Sequence, residues 1–280
     1  MPRIRIRSGI ELYYELHGEG YPFVLIAGTG SHCHKWTTFQ TPFFSQHYQT
    51  LIYDHRGAGR SDHPDHDYTI EMFAQDLAEL TDALGIRQAH VLGHSMGGRV
   101  ALQFALDYPD KVRKLILAST GCGEYEGHHH PRGIPLGQVL EFVAVGGDVA
   151  ERERRSHLGE FWYTPRFRQE HPEVVERNIQ LAATDAPPLK SYLRHIQARQ
   201  NHQACSELHR VRPPTLILVG EEDYYAPGTG GFVPQCRYLA TRIPDAKLVL
   251  IPGARHGIFW EKADEVNHLI LDWLQHDTGK

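Results

Sequence analysis

Ser95 stands between glycines at positions 93 and 97, in Gly93-His94-Ser95-Met96-Gly97. The apolar run Ala89-His90-Val91-Leu92 precedes it and a helical run, Arg99 to Tyr108, follows. A G-x-S-x-G turn between strand and helix holds its serine in a strained conformation with the hydroxyl exposed. The free N–H groups of the helix start then face the charge that develops when the hydroxyl attacks a carbonyl. The implied chemistry is nucleophilic catalysis, which needs a base and a group to orient that base. His256, in Pro252-Gly253-Ala254-Arg255-His256-Gly257 after the apolar run Lys247 to Ile251, is the expected base. The chain has 20 histidines, and His256 is set apart by lying in the last strand-end loop. Asp223 follows the buried-strand pattern Pro214 to Gly220 and is the expected orienting acid, with Glu221 or Glu222 as alternatives. The order Ser, Asp, His is one of the known orders of such a triad.

An oxyanion needs two N–H donors. Met96 supplies one at the helix start. Thr29 supplies the other from Gly28-Thr29-Gly30-Ser31, which follows the strand pattern Phe23 to Ala27, with Gly30 possible in its place. Gly28, Gly30, His94 and Trp162 are expected to border the substrate pocket. Phe161, Trp162, Tyr163 and Phe167 fit either that pocket or the docking of a lid. No metal or other cofactor is expected: His128-His129-His130 has no partner ligand at a suitable spacing and reads as a solvated segment. Arg152, Arg154 and Arg155, among Glu151 and Glu153, read as a solvated helix face.

Positioning these groups requires strand ends on one edge of a sheet. Strand patterns fall near 22–27, 49–54, 88–93, 112–118, 214–220 and 246–251, with helical patterns between them. Phe73, Leu77, Leu80 and Leu84 share one helical face; Val266, Leu269, Ile270, Trp273 and Leu274 share another. The N-terminus alternates apolar and charged residues to Arg7 and reads as an edge strand, joined by a Ser8-Gly9 turn to the next. Strand–helix alternation implies a mostly parallel sheet. It breaks between Thr120 and about Ser206, where helical fragments suggest a lid. The expected division is a core over 1–120 and 206–280, with a helical lid over 121–205.

These motifs resemble those of α/β-hydrolase-fold serine hydrolases, similar to the group of 3-oxoadipate enol-lactonases, carboxylesterases and meta-cleavage-product hydrolases. Tyr53-Asp54-His55-Arg56-Gly57-Ala58-Gly59-Arg60-Ser61-Asp62 is similar to the family's D-x-R-G-x-G-x-S-D loop, to which no catalytic role is assigned. Ala27 departs from the His that many relatives carry before the oxyanion loop. The resemblance implies an eight-stranded, mostly parallel sheet with helices on both faces and a lid after strand six. It also implies cleavage of a small carboxylic ester or lactone through an acyl-enzyme. Two other readings compete: carbon–carbon hydrolysis of a vinylogous diketone, and a triad-bearing receptor with negligible turnover. An aspartate nucleophile is excluded by Ser95.

Composition agrees. With 280 residues, 41% hydrophobic and 22% charged, the chain can bury a sizeable core under a polar surface. A net charge of −5 gives no general attraction to nucleic acid, and no apolar run reaches membrane-spanning length. The four cysteines (33, 122, 205, 236) lie far apart without C-x-x-C spacing, so reduced thiols and a cytoplasmic location are expected. The partner expected is therefore a small molecule; no oligomeric state is assigned.

Overall fold

The computed structural model describes residues 2–130, 132–224 and 231–276. Eight strands form one sheet: β1 (Arg3–Arg5), β2 (Glu11–His17), β3 (Pro22–Ile26), β4 (Gln49–Tyr53), β5 (Ala89–His94), β6 (Val112–Ala118), β7 (Thr215–Gly220) and β8 (Ala246–Ile251). Their spatial order is β1-β2-β4-β3-β5-β6-β7-β8, with β1 and β2 antiparallel to their neighbours and the other six strands mutually parallel. The helices are α1 (Gln40–Phe44), α2 (Ile70–Ala83), α3 (Met96–Asp107), α4 (Leu136–Val143), α5 (Val149–Leu158) and α6 (Pro165–Glu170). They continue as α7 (Pro172–Ala183), α8 (Leu189–Asn201), α9 (Phe232–Arg242), α10 (Ile258–Glu261) and α11 (Ala263–Gln275).

Strand alternation sends side chains to two cores. Val24 and Ile26 join Phe73 and Leu77 of α2, Val100 of α3 and Leu239 of α9 on one face. Phe23 and Leu25 join Phe44 of α1 and Val266, Ile270 and Leu274 of α11 on the other. Parallel strands covered on both faces read as near-continuous apolar runs, as Leu216 to Val219 of β7 does. α2 starts at Thr69, whose side chain accepts from the Met72 N–H. The 53–62 loop is structural, as expected. Asp54 accepts from the Cys33 N–H (2.6 Å) and the Arg60 N–H (2.9 Å), and Arg56 binds Asp76 through two nitrogens (2.6 and 2.5 Å).

Between β6 and β7 the described chain carries α4 to α8 and, apart from one bridge between Tyr125 and His128, no strand. The two ends of this excursion converge, because β6 and β7 are hydrogen-bonded neighbours. The Ala204 N–H donates to Cys122 O (2.8 Å), and Cys122 and Cys205 form a disulfide with Cα atoms 4.9 Å apart. The expectation of four reduced thiols is thus corrected for this pair: separation along the chain hid proximity in space. Cys33 and Cys236 remain buried thiols. Closing a loop between residues 83 apart restricts the unfolded chain. Chain-entropy arithmetic gives about 4.5 kcal/mol for it. Cys122→Ser with Cys205→Ser should therefore lower the urea midpoint markedly and raise the m-value, because the freed unfolded chain exposes more surface. Adding reductant should shift the wild-type midpoint the same way and leave the double variant where it is. Among the described residues, no helix is long and apolar enough to cross a membrane.

Candidate active site

β5 ends at His94 and α3 begins at Met96, so Ser95 alone makes the turn, with φ 59° and ψ −121°. Positive φ in a residue with a Cβ is strained by roughly 1–3 kcal/mol and must be imposed by its surroundings. The Ser95 N–H donates to Ala118 O (2.9 Å), while Ser95 O accepts from the Gly98 N–H (3.0 Å) and the Thr120 hydroxyl (2.7 Å). The flanking glycines are a matter of space. A Cβ on Gly93 would lie 2.1 Å from Gly97 O, and one on Gly97 would lie 2.3 Å from Ile26 O.

Asp223 sits three residues beyond β7, in a turn where its N–H donates to Gly220 O (3.0 Å) and its carbonyl accepts from the Phe232 N–H (2.8 Å). Its side chain is buried, whereas Glu221 and Glu222 are exposed. His256 lies in the loop after β8, fully buried, with Nδ1 3.0 Å from Asp223 Oδ2. Its ring is walled by Phe161 and Phe232 at centroid distances of 4.4 and 4.6 Å. Nε2 of His256 has no hydrogen-bond partner among the described residues. Nδ1–H donating to the carboxylate leaves Nε2 with a lone pair, the state a general base requires.

A cavity of about 550 Å³ opens over the strand ends and is bordered by Ser95, Met96, Gly28, Thr29, Phe161 and Trp162. That volume suits a small ligand. Gly28 passes close to the serine: a Cβ there would lie 3.2 Å from Ser95 Cβ. The Gly30 N–H is engaged by His195 Nδ1 (3.2 Å). The N–H groups of Thr29 and Met96 make no hydrogen bond seen among the described residues. Gly30 itself borders a smaller neighbouring cavity. His94 is fully buried and lies behind the wall rather than on it. Phe161 and Trp162 face the cavity, while Tyr163 and Phe167 pack with Trp260 and anchor the excursion to the core.

A family model described as the alpha/beta hydrolase fold matches residues 21–263. The chain belongs to this family. This hydrolase is 29% identical, over 93% of its length and 94% of the relative's, to a protein of Azorhizobium caulinodans named carbamate hydrolase RutD. It is 28% identical, over 96% of its length and 92% of the relative's, to the 2-hydroxy-6-oxo-6-phenylhexa-2,4-dienoate hydrolase of Comamonas testosteroni. The crystal structure of the enol-lactonase from Burkholderia xenovorans matches with a TM-score of 0.84 at 25% identity, covering 98% of this chain and all of that one. Three such names on one fold mean that the choice of bond is made by the site rather than by the scaffold.

Two polar segments of the hydrolase lie elsewhere than their sequence suggested. His130 is buried and borders the cavity, so the histidine run is not uniformly solvated. Arg152 also borders the cavity, donating to Glu141 (2.9 Å), Glu153 (2.6 Å) and the Tyr192 hydroxyl (2.9 Å). Arg154 and Arg155 both pair with Glu151; Arg154 lies outside the cavity as a solvated face should, whereas Arg155, though exposed, stands at the cavity's border.

A buried lysine went unnoticed in the sequence because a lone Lys near an aromatic residue carries no pattern. Lys35 Nζ lies 2.9 Å from His94 Nδ1, with the Trp36 and Trp260 rings 4.7 and 5.0 Å away. His94 Nε2 in turn donates to the backbone carbonyl of His256 (3.0 Å), so the lysine supports the base loop through one imidazole. Burial drives the Lys35 ammonium down to about 7, against a partial offset from Glu153. The unfolded chain holds that proton to about 10.5, so it binds more protons than the folded one between these values. Stability should therefore rise as pH climbs from about 7 toward 10. Lys35→Met should flatten this rise, as read from urea midpoints across that range.

Proposed function

We propose that the chain is a serine hydrolase cleaving a small carboxylic ester or lactone, with Ser95 as nucleophile, His256 as base and Asp223 as the orienting acid. The observation that carries this reading is a strained Ser95 on the wall of a cavity whose lining residues Phe161 and Phe232 also pack against a buried imidazole, that of His256. That imidazole has one nitrogen tied to a buried carboxylate and its other nitrogen unpartnered among the described residues. Ser95 Oγ attacks the carbonyl carbon while His256 Nε2 takes its proton. The N–H groups of Met96 and Thr29 receive the oxyanion, a single such donor being worth about 10²–10³ in rate. The C–O bond then breaks as His256 returns the proton to the leaving oxygen, which in a lactone stays tethered to the acyl group. Water, deprotonated by His256, releases the acid and restores Ser95. Asp223 stabilises the imidazolium in both halves. No metal or other cofactor is needed for these steps.

The name of the Comamonas relative favours a second reading, carbon–carbon hydrolysis. Turnover of p-nitrophenyl esters from acetate to decanoate, a few simple lactones and one vinylogous diketone separates the two. The ester reading expects saturable release of p-nitrophenol and lactone opening that exceed diketone cleavage. Preferential diketone cleavage would replace it with the second reading. Labelling of Ser95 by a fluorophosphonate without turnover of any substrate would point to the receptor.

A further inference from the structure

Lys35 is buried beside the reaction without lining its cavity. It borders only the neighbouring cavity of about 40 Å³, which is too small for a substrate. Among the described residues its Nζ has one hydrogen-bond partner, His94 Nδ1, and no carboxylate forms an ion pair with it. Glu153 of α5 borders the same small cavity, but it is engaged by Arg152 and by the Tyr192 hydroxyl (2.6 Å each). Only one tautomer of His94 suits this arrangement. Its Nε2 carries the proton, because it donates to the His256 carbonyl, and its Nδ1 is then a lone pair. In a fully buried ring that lone pair requires a donor, and Lys35 supplies it. The lysine thus fixes the tautomer of one imidazole, and that imidazole holds the backbone of the other. The two rings lie 4.7 Å apart between centroids, so an imidazolium at His256 forms close to the ammonium.

We infer that Lys35 is a positioning residue for the reaction: through His94 it holds the loop that carries the base, and its charge opposes the imidazolium that the base becomes. This inference rests on the serine-hydrolase reading and adds a group that lies outside the substrate cavity. The two effects separate with pH. Burial lowers the Lys35 ammonium to about 7, with Glu153 opposing. The other ionisable groups around it are His94 at the end of β5, His157 on α5, His32 three residues before it and His256 beyond His94. Burial holds His94, His157 and His32 below the ordinary histidine range, so these three are neutral near pH 7. From α7 and α10 the small cavity receives Asn178, Leu181, Ala182 and Trp260, none of them charged. Above about 7 the lysine is an amine that still donates to His94 but no longer repels the imidazolium. Below about 7 it is an ammonium that does both.

The test follows kcat and KM on p-nitrophenyl acetate from about pH 6 to about pH 8.5, on either side of that value. It uses wild type, Lys35→Met, His94→Phe and the double variant. Methionine and phenylalanine keep side-chain bulk while removing the amine or the ring nitrogens, and circular dichroism checks the fold. At the alkaline end Lys35→Met should lower kcat about 10-fold, the scale of one hydrogen bond, with KM nearly unchanged. The loss should shrink toward the acid end by about 4- to 15-fold, the scale of unit charges about 10 Å apart at an effective dielectric of about 20 to 40. In the His94→Phe background the lysine substitution should change kcat less than about 2-fold, because the two residues act in series. A second measurement needs neither turnover nor His94→Phe. In ¹⁵N spectra of histidine-labelled wild type, the His94 Nδ1 signal should shift with a midpoint near pH 7, and in Lys35→Met it should stay in place. A ratio of wild type to Lys35→Met that is the same at every pH, additive losses in the double variant, or a His94 signal indifferent to Lys35 would each overturn the inference. Failure of the serine-hydrolase reading would show differently, as ester turnover in wild type that survives Ser95→Ala.

Discussion

Ser95→Ala should lower kcat on p-nitrophenyl esters by about 10⁶-fold, the loss seen when a serine hydrolase is deprived of its nucleophile. The argument is that nothing nearby can take over the bond-forming step. Thr120 is committed to Ser95 O at 2.7 Å and does not border the cavity. The proposed oxyanion donors are backbone groups and survive the substitution, so a residual rate above water of about 10³ is expected from them and from binding. Alanine also inherits the strained φ of 59°, but the surrounding contacts are backbone ones and remain. The folded state should therefore persist, checked by an unchanged circular-dichroism spectrum beside the activity assay. Near-normal turnover by purified, folded Ser95→Ala would remove the mechanism altogether.

Asp223→Asn should cost about 10⁴ in kcat, with little change in KM. The carboxylate accepts from His256 Nδ1–H at 3.0 Å and so sets the proton on that nitrogen. An asparagine amide group placed there donates instead, moving the ring proton to Nε2, where the lone pair is needed. Phe161 and Phe232 wall the ring in and leave it little freedom to turn over and compensate. Raising pH should not rescue the variant, because the defect is a tautomer rather than a protonation state. Glu221→Gln and Glu222→Gln serve as controls: both side chains are solvent-exposed, and both variants should keep nearly full activity. If either control were the inactive one, the acid would have to be reassigned.

The parts of this protein legible in its sequence are those where a local steric or burial rule acts alone. Six apolar runs bounded by turn residues matched the six parallel strands to within about a residue at each end, because strands covered on both faces are mostly apolar. The elbow was legible because Gly93 and Gly97 meet backbone atoms that leave no room for a Cβ. Asp223 was separable from its acidic neighbours only in three dimensions, where one carboxylate of three turns inward. What stayed hidden depends on the excursion after β6. Arg152 shares a helix with Arg154 and Arg155 in an alternating charged run, and only the packing of α5 shows which of the three turns inward. Arg99 read only as the start of a helical run, and its burial on the cavity wall shows in the packing alone. The pairing of Cys122 with Cys205 follows from strand order, which spacing along the chain does not encode.

The clasp between Cys122 and Cys205 gives the inserted helices an entrance and an exit held 4.9 Å apart. A segment closed so tightly at its base is interchangeable in principle: a longer, shorter or differently lined set of helices can be spliced there without lengthening any path through the sheet. Ser95, Asp223 and His256 all lie outside that segment, whereas Trp162 and Arg199 lie within it. The proposed bond-breaking groups and part of the cavity wall therefore occupy separately replaceable stretches of chain. New appetites can be acquired on this scaffold by exchanging a cassette, with the chemistry left in place.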